Sequence, residues 1–366
     1  MKLNIEQIKT FAENYGVPFE DALFISLNLF GVTMDVTYNR MRTAFHLNGN
    51  DSIFSYAADL NELDYYFALA VNPKSPFRIS EEVLYLDNYK IGKTIGATED
   101  FCDSHYPRRL GTSLNINPNS RTSCRGCEFC YTAYQVPHDR KRMESEQDIR
   151  EFFYNWINKH DLSDLSHLIQ VSVVTGCYQT EKDLLLFLLT LNNVLKDFNF
   201  QGRIFYLGSM LVSSEAIQSL REIPSFGYCV SLECFERRHL LKDSKRELTL
   251  VHAKNIMREC VEAGMEVNYT YVIGIESHDV FLPYMQEFIK YTTKFPTINV
   301  LQLHQQHNNN LLDPTALDLG YFLEARVKIE KIFLKTTLRP LVWEDYRSLW
   351  YLRFGNEILK GFRVPE

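Results

Sequence analysis

A chain of 366 residues with 45% hydrophobic and 23% charged residues has the makeup of a folded globular protein, either one large domain with an accessory piece or two ordinary domains, and not of a disordered one. A formal net charge of −7 supplies no basic surplus for a polyanion, which argues against DNA or RNA as the main partner. No stretch approaches the roughly 20 apolar residues of a membrane span.

The opening MKLNIEQIKTF lacks the apolar core and small-residue cleavage site of a secretory signal, so a cytoplasmic location is expected. In that compartment the eight cysteines are expected as thiols, and a tight group of them as metal-binding or catalytic. Residues 1–95 read as an accessory segment. It has two helical stretches, IEQIKTFAENYG and EDALFISLNLFG, and then short strand-like pieces such as SIFSYAA and EEVLYLDNYKIG. Its role is not legible, although a peptide leader is one ligand that it could take.

From residue 96 to 310 the pattern changes. The apolar-alternating LGTSLNIN is followed by ESEQDIREFFYNWINKH, whose apolar residues recur at helical spacing. Five more pairs follow, with strands LIQVSVVTG, RIFYLGS, GYCVSLE, EVNYTYVIG and INVLQLH, each succeeded by a helical stretch. Strands alternating with helices imply parallel pairing and right-handed crossovers. Six units are too few for an eight-fold closed barrel. The expected fold is α/β, a partial (βα)6 TIM-like barrel with the accessory segment before it and a helical extension over residues 311–366; a doubly wound sheet is the alternative. In either case functional groups gather at the C-terminal ends of the strands. The aromatic tail LRPLVWEDYRSLWYLRFGNEILKGF caps the core or closes a cavity.

Just after the first strand, SRTSCRGCEFCYTAYQ places Cys124, Cys127 and Cys130 within seven residues. Thiolates select iron–sulfur clusters, zinc or Cu(I). A ferredoxin-type run would put a fourth cysteine four positions after Cys130, where Tyr134 stands. A structural zinc needs four closed ligands, and His138 is the nearest fourth. The basic run around His138 to Met143 reads as a solvated helix flank. Cys229, Cys234 and Cys260 are expected as small buried hydrophobes, and Cys102 is isolated. Cys177 is either another of these or a hydrogen-atom donor at the edge of the second strand.

Three ligands on a four-iron cluster leave one iron open. Here the sequence resembles the radical S-adenosylmethionine (SAM) superfamily, whose pattern C-x3-C-x-φ-C is matched in its second half by Cys127, Phe129 and Cys130, the first gap being one residue shorter. The resemblance extends over about residues 110–304. Thr175 and Gly176 stand where the family has a Gly-Gly-Glu-like turn near the SAM amino group. Ser231 and Glu233 stand where it presents polar groups to the ribose. Arg246 resembles the arginine that pairs with the SAM carboxylate, with Arg237 and Arg238 competing for that role. Ile273, Gly274 and Glu276 resemble the motif beside adenine. Each of these also has a plain structural reading as a strand end or turn. Gln302, His304 and His307 end the sixth strand; the first two share a face and are either substrate contacts or structural.

The resemblance implies that Cys124, Cys127 and Cys130 hold a [4Fe–4S] cluster that reductively cleaves SAM to a 5′-deoxyadenosyl radical, which abstracts hydrogen from a substrate. It also implies an electron donor such as flavodoxin or ferredoxin. The expected substrate is a small metabolite or natural-product precursor; the alternatives are a peptide, or transfer of the aminocarboxypropyl group. The non-enzymatic alternative is a zinc or iron–sulfur sensor.

Overall fold

The computed structural model describes residues 3–47, 64–101, 104–119, 126–131, 142–304 and 309–359. Cys124, Cys102, His138, His307 and the piece SIFSYAA lie outside them.

The chain opens with two helices, α1 (Ile5–Tyr15) and α2 (Phe19–Phe30). Asn4 and Gln7 form a reciprocal capping box at the start of α1, and Gly16 ends it in the left-handed conformation. The strands β1 (Arg40–Leu47), β2 (Asp64–Ala70), β3 (Phe77–Ser80), β4 (Val83–Leu86) and β5 (Tyr89–Glu99) make an antiparallel sheet in the order β2-β1-β5-β4-β3. Its two edges are joined through Val32 and Thr33, which bridge to Val71 and Arg78. That closure protects the unpaired backbone groups of both edge strands.

The second sheet has seven strands in the order β12-β11-β10-β9-β8-β7-β6 and curls into a half-barrel. Its strands β7 (Ser113–Ile116), β8 (Gln170–Val174), β9 (Arg203–Gly208), β10 (Gly227–Glu233), β11 (Glu266–Ile273) and β12 (Thr297–Val300) are all parallel. The short β6 (Tyr106–Arg108) adds antiparallel to β7, a strand with too few residues to show a period. Helices α3 (Glu146–Lys159), α4 (Glu181–Asp197), α5 (Ser214–Ser219), α6 (Asp243–Glu247), α7 (Leu250–Glu262), α8 (His278–Phe288) and α9 (Leu319–Phe333) follow the strands. Both α3 and α4 start on capping boxes, Ser145 with Asp148 and Thr180 with Asp183. Among the described residues no helix is long and apolar enough to cross a membrane.

Beyond α9 the structure departs from the expected helical extension. Residues 334–359 contain no helix; they run as turns into a small hairpin of β13 (Arg353–Phe354) and β14 (Glu357–Ile358). The reason is what the segment meets. A half-barrel leaves its polar interior uncovered, and the tail fills it. Arg203 and Lys294, inside the barrel, both pair with Glu344. Arg108 donates to the carbonyls of Glu344 (2.7 Å) and Asp345 (3.0 Å). Asn115 donates to Tyr346 Oη at 2.7 Å, and the Val300 N–H at the edge of β12 donates to the Arg347 carbonyl at 2.8 Å. Carbonyls spent on barrel side chains cannot form a helical ladder.

A buried ion pair between α2 and α9 fastens this tail. Asp21 on α2 faces Arg326 on α9 at 3.0 Å and accepts the Tyr351 and Leu352 N–H groups at 2.6 and 3.1 Å. Arg326 also donates to the carbonyls of Leu349 and Arg353.

Burial, with Glu344 adjacent, pushes the Asp345 carboxyl up to about 8. The unfolded chain loses that proton near pH 4, so folding takes up a proton between about pH 4 and pH 8, and stability falls as the pH rises through that window. Asp345→Asn cannot ionise. Its melting temperature is expected to match wild type near pH 4.5 and to exceed it by at least ~2 °C at pH 8. A gap that does not change with pH would contradict this account.

Candidate functional site

The C-terminal ends of the parallel strands open into a chamber of about 190 Å³. The barrel supplies Val174 to Cys177 at the end of β8, Leu207 to Met210 at the end of β9, Ser231 and Glu233 on β10, Thr270 and Val272 on β11 and Asn299 on β12. The cysteine turn supplies Gly126, Cys127, Phe129, Cys130 and Tyr131. Arg40, Arg42 and Asp100 come from the antiparallel sheet, and Tyr346 and Arg347 from the tail. Three distant parts of the chain therefore enclose one space.

The cysteine turn is tight and anchored. The Cys130 N–H donates to the Cys127 carbonyl at 2.8 Å, and the Glu128 N–H to the Leu240 carbonyl at 2.9 Å. Cys127 is buried, packed among Cys234, Leu240, Leu241 and Val272, and that burial raises its thiol pKa. Phe129 packs against the same cluster. Among the described residues no group of three or more His, Cys, Asp or Glu side chains is placed to hold a metal ion; Cys127 and Cys130 make two.

At the end of β8, Thr175 and Gly176 are tied to the loop after β7. The Asn119 N–H donates to Thr175 Oγ1 at 3.1 Å, and the Gly176 N–H to the Asn119 carbonyl at 2.9 Å. Cys177 Sγ meets Lys242 Nζ, with Ser244 Oγ at 3.9 Å. On β10 the register with β11 slips between Val230 and Glu233, and Glu233 takes φ +67°, in the left-handed region. A non-glycine residue held there is strained, a condition that concentrates at functional sites. Its carboxylate pairs with Lys245 at 2.5 Å.

Glu276 makes the turn after Glu233 possible. Its buried carboxylate accepts the backbone N–H groups of Phe235 (3.0 Å), Glu236 (2.5 Å) and Arg237 (2.8 Å), and the Tyr271 hydroxyl at 3.1 Å. Arg237 and Arg238 point at backbone carbonyls: Arg237 at Ile275 and Leu311, Arg238 at Cys234 and Leu248. Arg246 is exposed on α6 and does not line the chamber; its neighbours Lys242 and Lys245 do. Ile273 is buried in the core, and neither it nor Gly274 lines the chamber. Gly274 sits at φ +109°, where an added Cβ would come within 3.3 Å of Leu301 Cβ and of the Phe322 ring. That backbone conformation, with little room beside it, favours glycine whether or not a ligand approaches.

Gln302 is buried and donates to the Ala68 carbonyl on β2 at 3.0 Å, joining the two sheets. His304 is buried with its ring 4.6 Å from that of Tyr131, itself a chamber residue. Cys229, Cys234 and Cys260 are buried. Three polar atoms along the inner face, Ser231 Oγ, Thr270 Oγ1 and Asn299 Oδ1, are enclosed without a hydrogen-bond partner among the described residues. Buried polar atoms are ordinarily satisfied.

Sequence reading missed Arg40, Arg42, Asp100, Lys242, Lys245, Tyr346 and Arg347. Only the two lysines carried a signal, lying within four residues of Arg246. Arg40 and Arg42 share Asp100, Arg40 at 2.9 Å, and Arg42 lies 3.4 Å over the Tyr106 ring. A larger groove of about 860 Å³ runs outside, between α3 and α4, but among the sequence-predicted residues it borders only Cys177.

No family model and no curated protein matches the chain. Among solved structures it is similar to Streptococcus suis SuiB bound to S-adenosylmethionine, at 13% identity and a TM-score of 0.40, over 57% of this chain and 43% of that one. It is also similar to the FeFe-hydrogenase maturase HydG from Carboxydothermus hydrogenoformans, at 14% identity and TM-score 0.42, over 64% and 55% of the two chains. A third is methylornithine synthase (PylB), at 14% and 0.38, over 59% and 62%. The chain covers less than two thirds of each of these proteins. At such TM-scores and identities the likeness assigns neither ligand nor activity.

Proposed function

We propose that the protein is a radical SAM enzyme whose reaction takes place in the chamber at the strand ends. The observation that carries this is the placement of two thiols, Cys127 and Cys130, on one tight turn that lines the same chamber as Gly176, Ser231 and Glu233. The donor set fits a cluster with SAM beside it. Sulfur suits iron, and the unsatisfied Ser231, Thr270 and Asn299 atoms are what a polar ligand would complete. Cys127 and Cys130, with Cys124 as third ligand, would hold the [4Fe–4S] cluster. When bound, cluster and SAM supply one-electron cleavage and a carbon radical able to take hydrogen from an unactivated C–H bond.

The chain's own residues bind, orient and shield. At about 190 Å³ the chamber is below the ~300 Å³ of ordinary ligand sites, and Lys245 already holds Glu233. Lys245 occupies one oxygen of Glu233, and the other would be left to accept from a ribose hydroxyl. Cys177, beside Lys242, lines the same chamber and would be the thiol available there as a hydrogen-atom donor. The tail and the antiparallel sheet line the sides of the chamber and would limit its contact with water. The substrate is a small molecule, and an external protein such as flavodoxin or ferredoxin supplies the electron.

The test is anaerobic reconstitution with iron and sulfide, reduction with dithionite in the presence of SAM, and chromatography for 5′-deoxyadenosine. Formation of 5′-deoxyadenosine is expected. A colourless protein with about one zinc per chain and intact SAM would make the cysteines structural.

A further inference from the structure

Among the described residues that line the chamber, cations outnumber carboxylates. Five cations line it, Arg40, Arg42, Lys242, Lys245 and Arg347, against two carboxylates, Asp100 and Glu233. They divide into two ends. Lys245 holds Glu233 and Lys242 meets Cys177 on the β8–β10 side, while Arg40 and Arg42 share Asp100 on the side of the antiparallel sheet.

Among the described residues Arg347 has no such partner. Its backbone is fixed by the Val300 N–H at 2.8 Å. Its guanidinium forms no ion pair and donates no hydrogen bond among the described residues, and its Nε is enclosed and unsatisfied. Burial, and next the charge of Arg40, push its pKa down to about 10. A desolvated guanidinium beside a second one is costly unless an anion joins them. Its planar fork matches the two oxygens of a carboxylate or phosphate.

We propose that the chamber takes a substrate bearing an oxyanion group, a carboxylate or a phosphate, held by Arg347 on the tail with Arg40 beside it. This names a substrate class for the site described above; it rests on the radical SAM reading for the chemistry, but not for the binding. The lysine end is left for SAM.

The experiment uses the full chain as isolated, with no iron or SAM added. Thermal unfolding is followed in acetate and in phosphate against chloride at equal ionic strength. Either anion is expected to raise the melting temperature above chloride by binding the folded state, and the anion giving the larger rise identifies the group. Arg347→Gln should weaken that binding at least ~10-fold, and Arg347→Lys, which keeps the charge without the fork, should fall between. If Arg347→Gln does not fold, the lysine variant carries the comparison. No rise beyond chloride, an equal rise in the variants, or cancellation of the acetate effect by added SAM would each overturn the proposal. Because no cluster is involved, its failure leaves the 5′-deoxyadenosine assay untouched, and failure of that assay leaves the anion site standing.

Discussion

Cys127→Ala is expected to fold and yet remain colourless after reconstitution, with 5′-deoxyadenosine at background. Two effects have to be separated. Cys127 is buried against Cys234, Leu240, Leu241 and Val272, so losing its sulfur removes packing worth about 1 kcal/mol. Cys260 on α7 provides the comparison. It is equally buried, with a thiol pushed up to about 12 by desolvation, but it lies in the main core and not in the chamber. Cys260→Ala should therefore cost about the same stability and keep both iron and SAM cleavage. Equal loss of product in both variants would show that packing, not ligation, was measured; normal product from Cys127→Ala would remove this cysteine from the cluster.

Glu276→Ala should be the most damaging of the substitutions considered to the fold around the site. One carboxylate satisfies three successive backbone N–H groups and the Tyr271 hydroxyl. Leaving those donors buried without an acceptor costs about 3–5 kcal/mol, after allowing for some entry of water. The damage reaches the cysteine turn, because the chain from Phe235 onward carries the Leu240 carbonyl that receives the Glu128 N–H. A melting temperature lower by at least ~5 °C is expected together with poor iron loading. Glu276→Gln should lie between, keeping one oxygen acceptor and losing the charge-assisted bonds. A Glu276→Ala protein that melts with wild type would refute this role.

The half-barrel was legible because buried parallel strands are written as continuous apolar runs, and GYCVSLE and EVNYTYVIG could hardly be anything else. Of the antiparallel sheet only the hairpin in EEVLYLDNYKIG was; the rest was not. Its first strand, RMRTAFHL, carries two arginines that only the finished chamber accounts for. The tail misled because aromatic residues at near-helical spacing also suit a segment whose side chains alternate between a core and a charged barrel interior. Of the chamber, the local groups could be read: the cysteine turn, Gly176, Ser231 and Glu233 lie near strand ends that the pattern itself located. The basic residues could not, since an arginine reveals nothing until a fold brings it opposite a carboxylate or leaves it without one. Arg40 and Arg347 stand at opposite ends of the sequence and face the same space.

The way the tail fills the half-barrel also sets an order of assembly. Its fastenings join residues 236 positions apart, from Arg108 to Glu344, and 320 apart, from Asn28 to Ser348. Contacts so far apart bear the greatest loop-closure entropy and form late, in synthesis and in refolding alike. Until they form, Tyr346 and Arg347 are missing from the lining of the chamber, so that side of the space is completed only by the longest-range contacts of the fold.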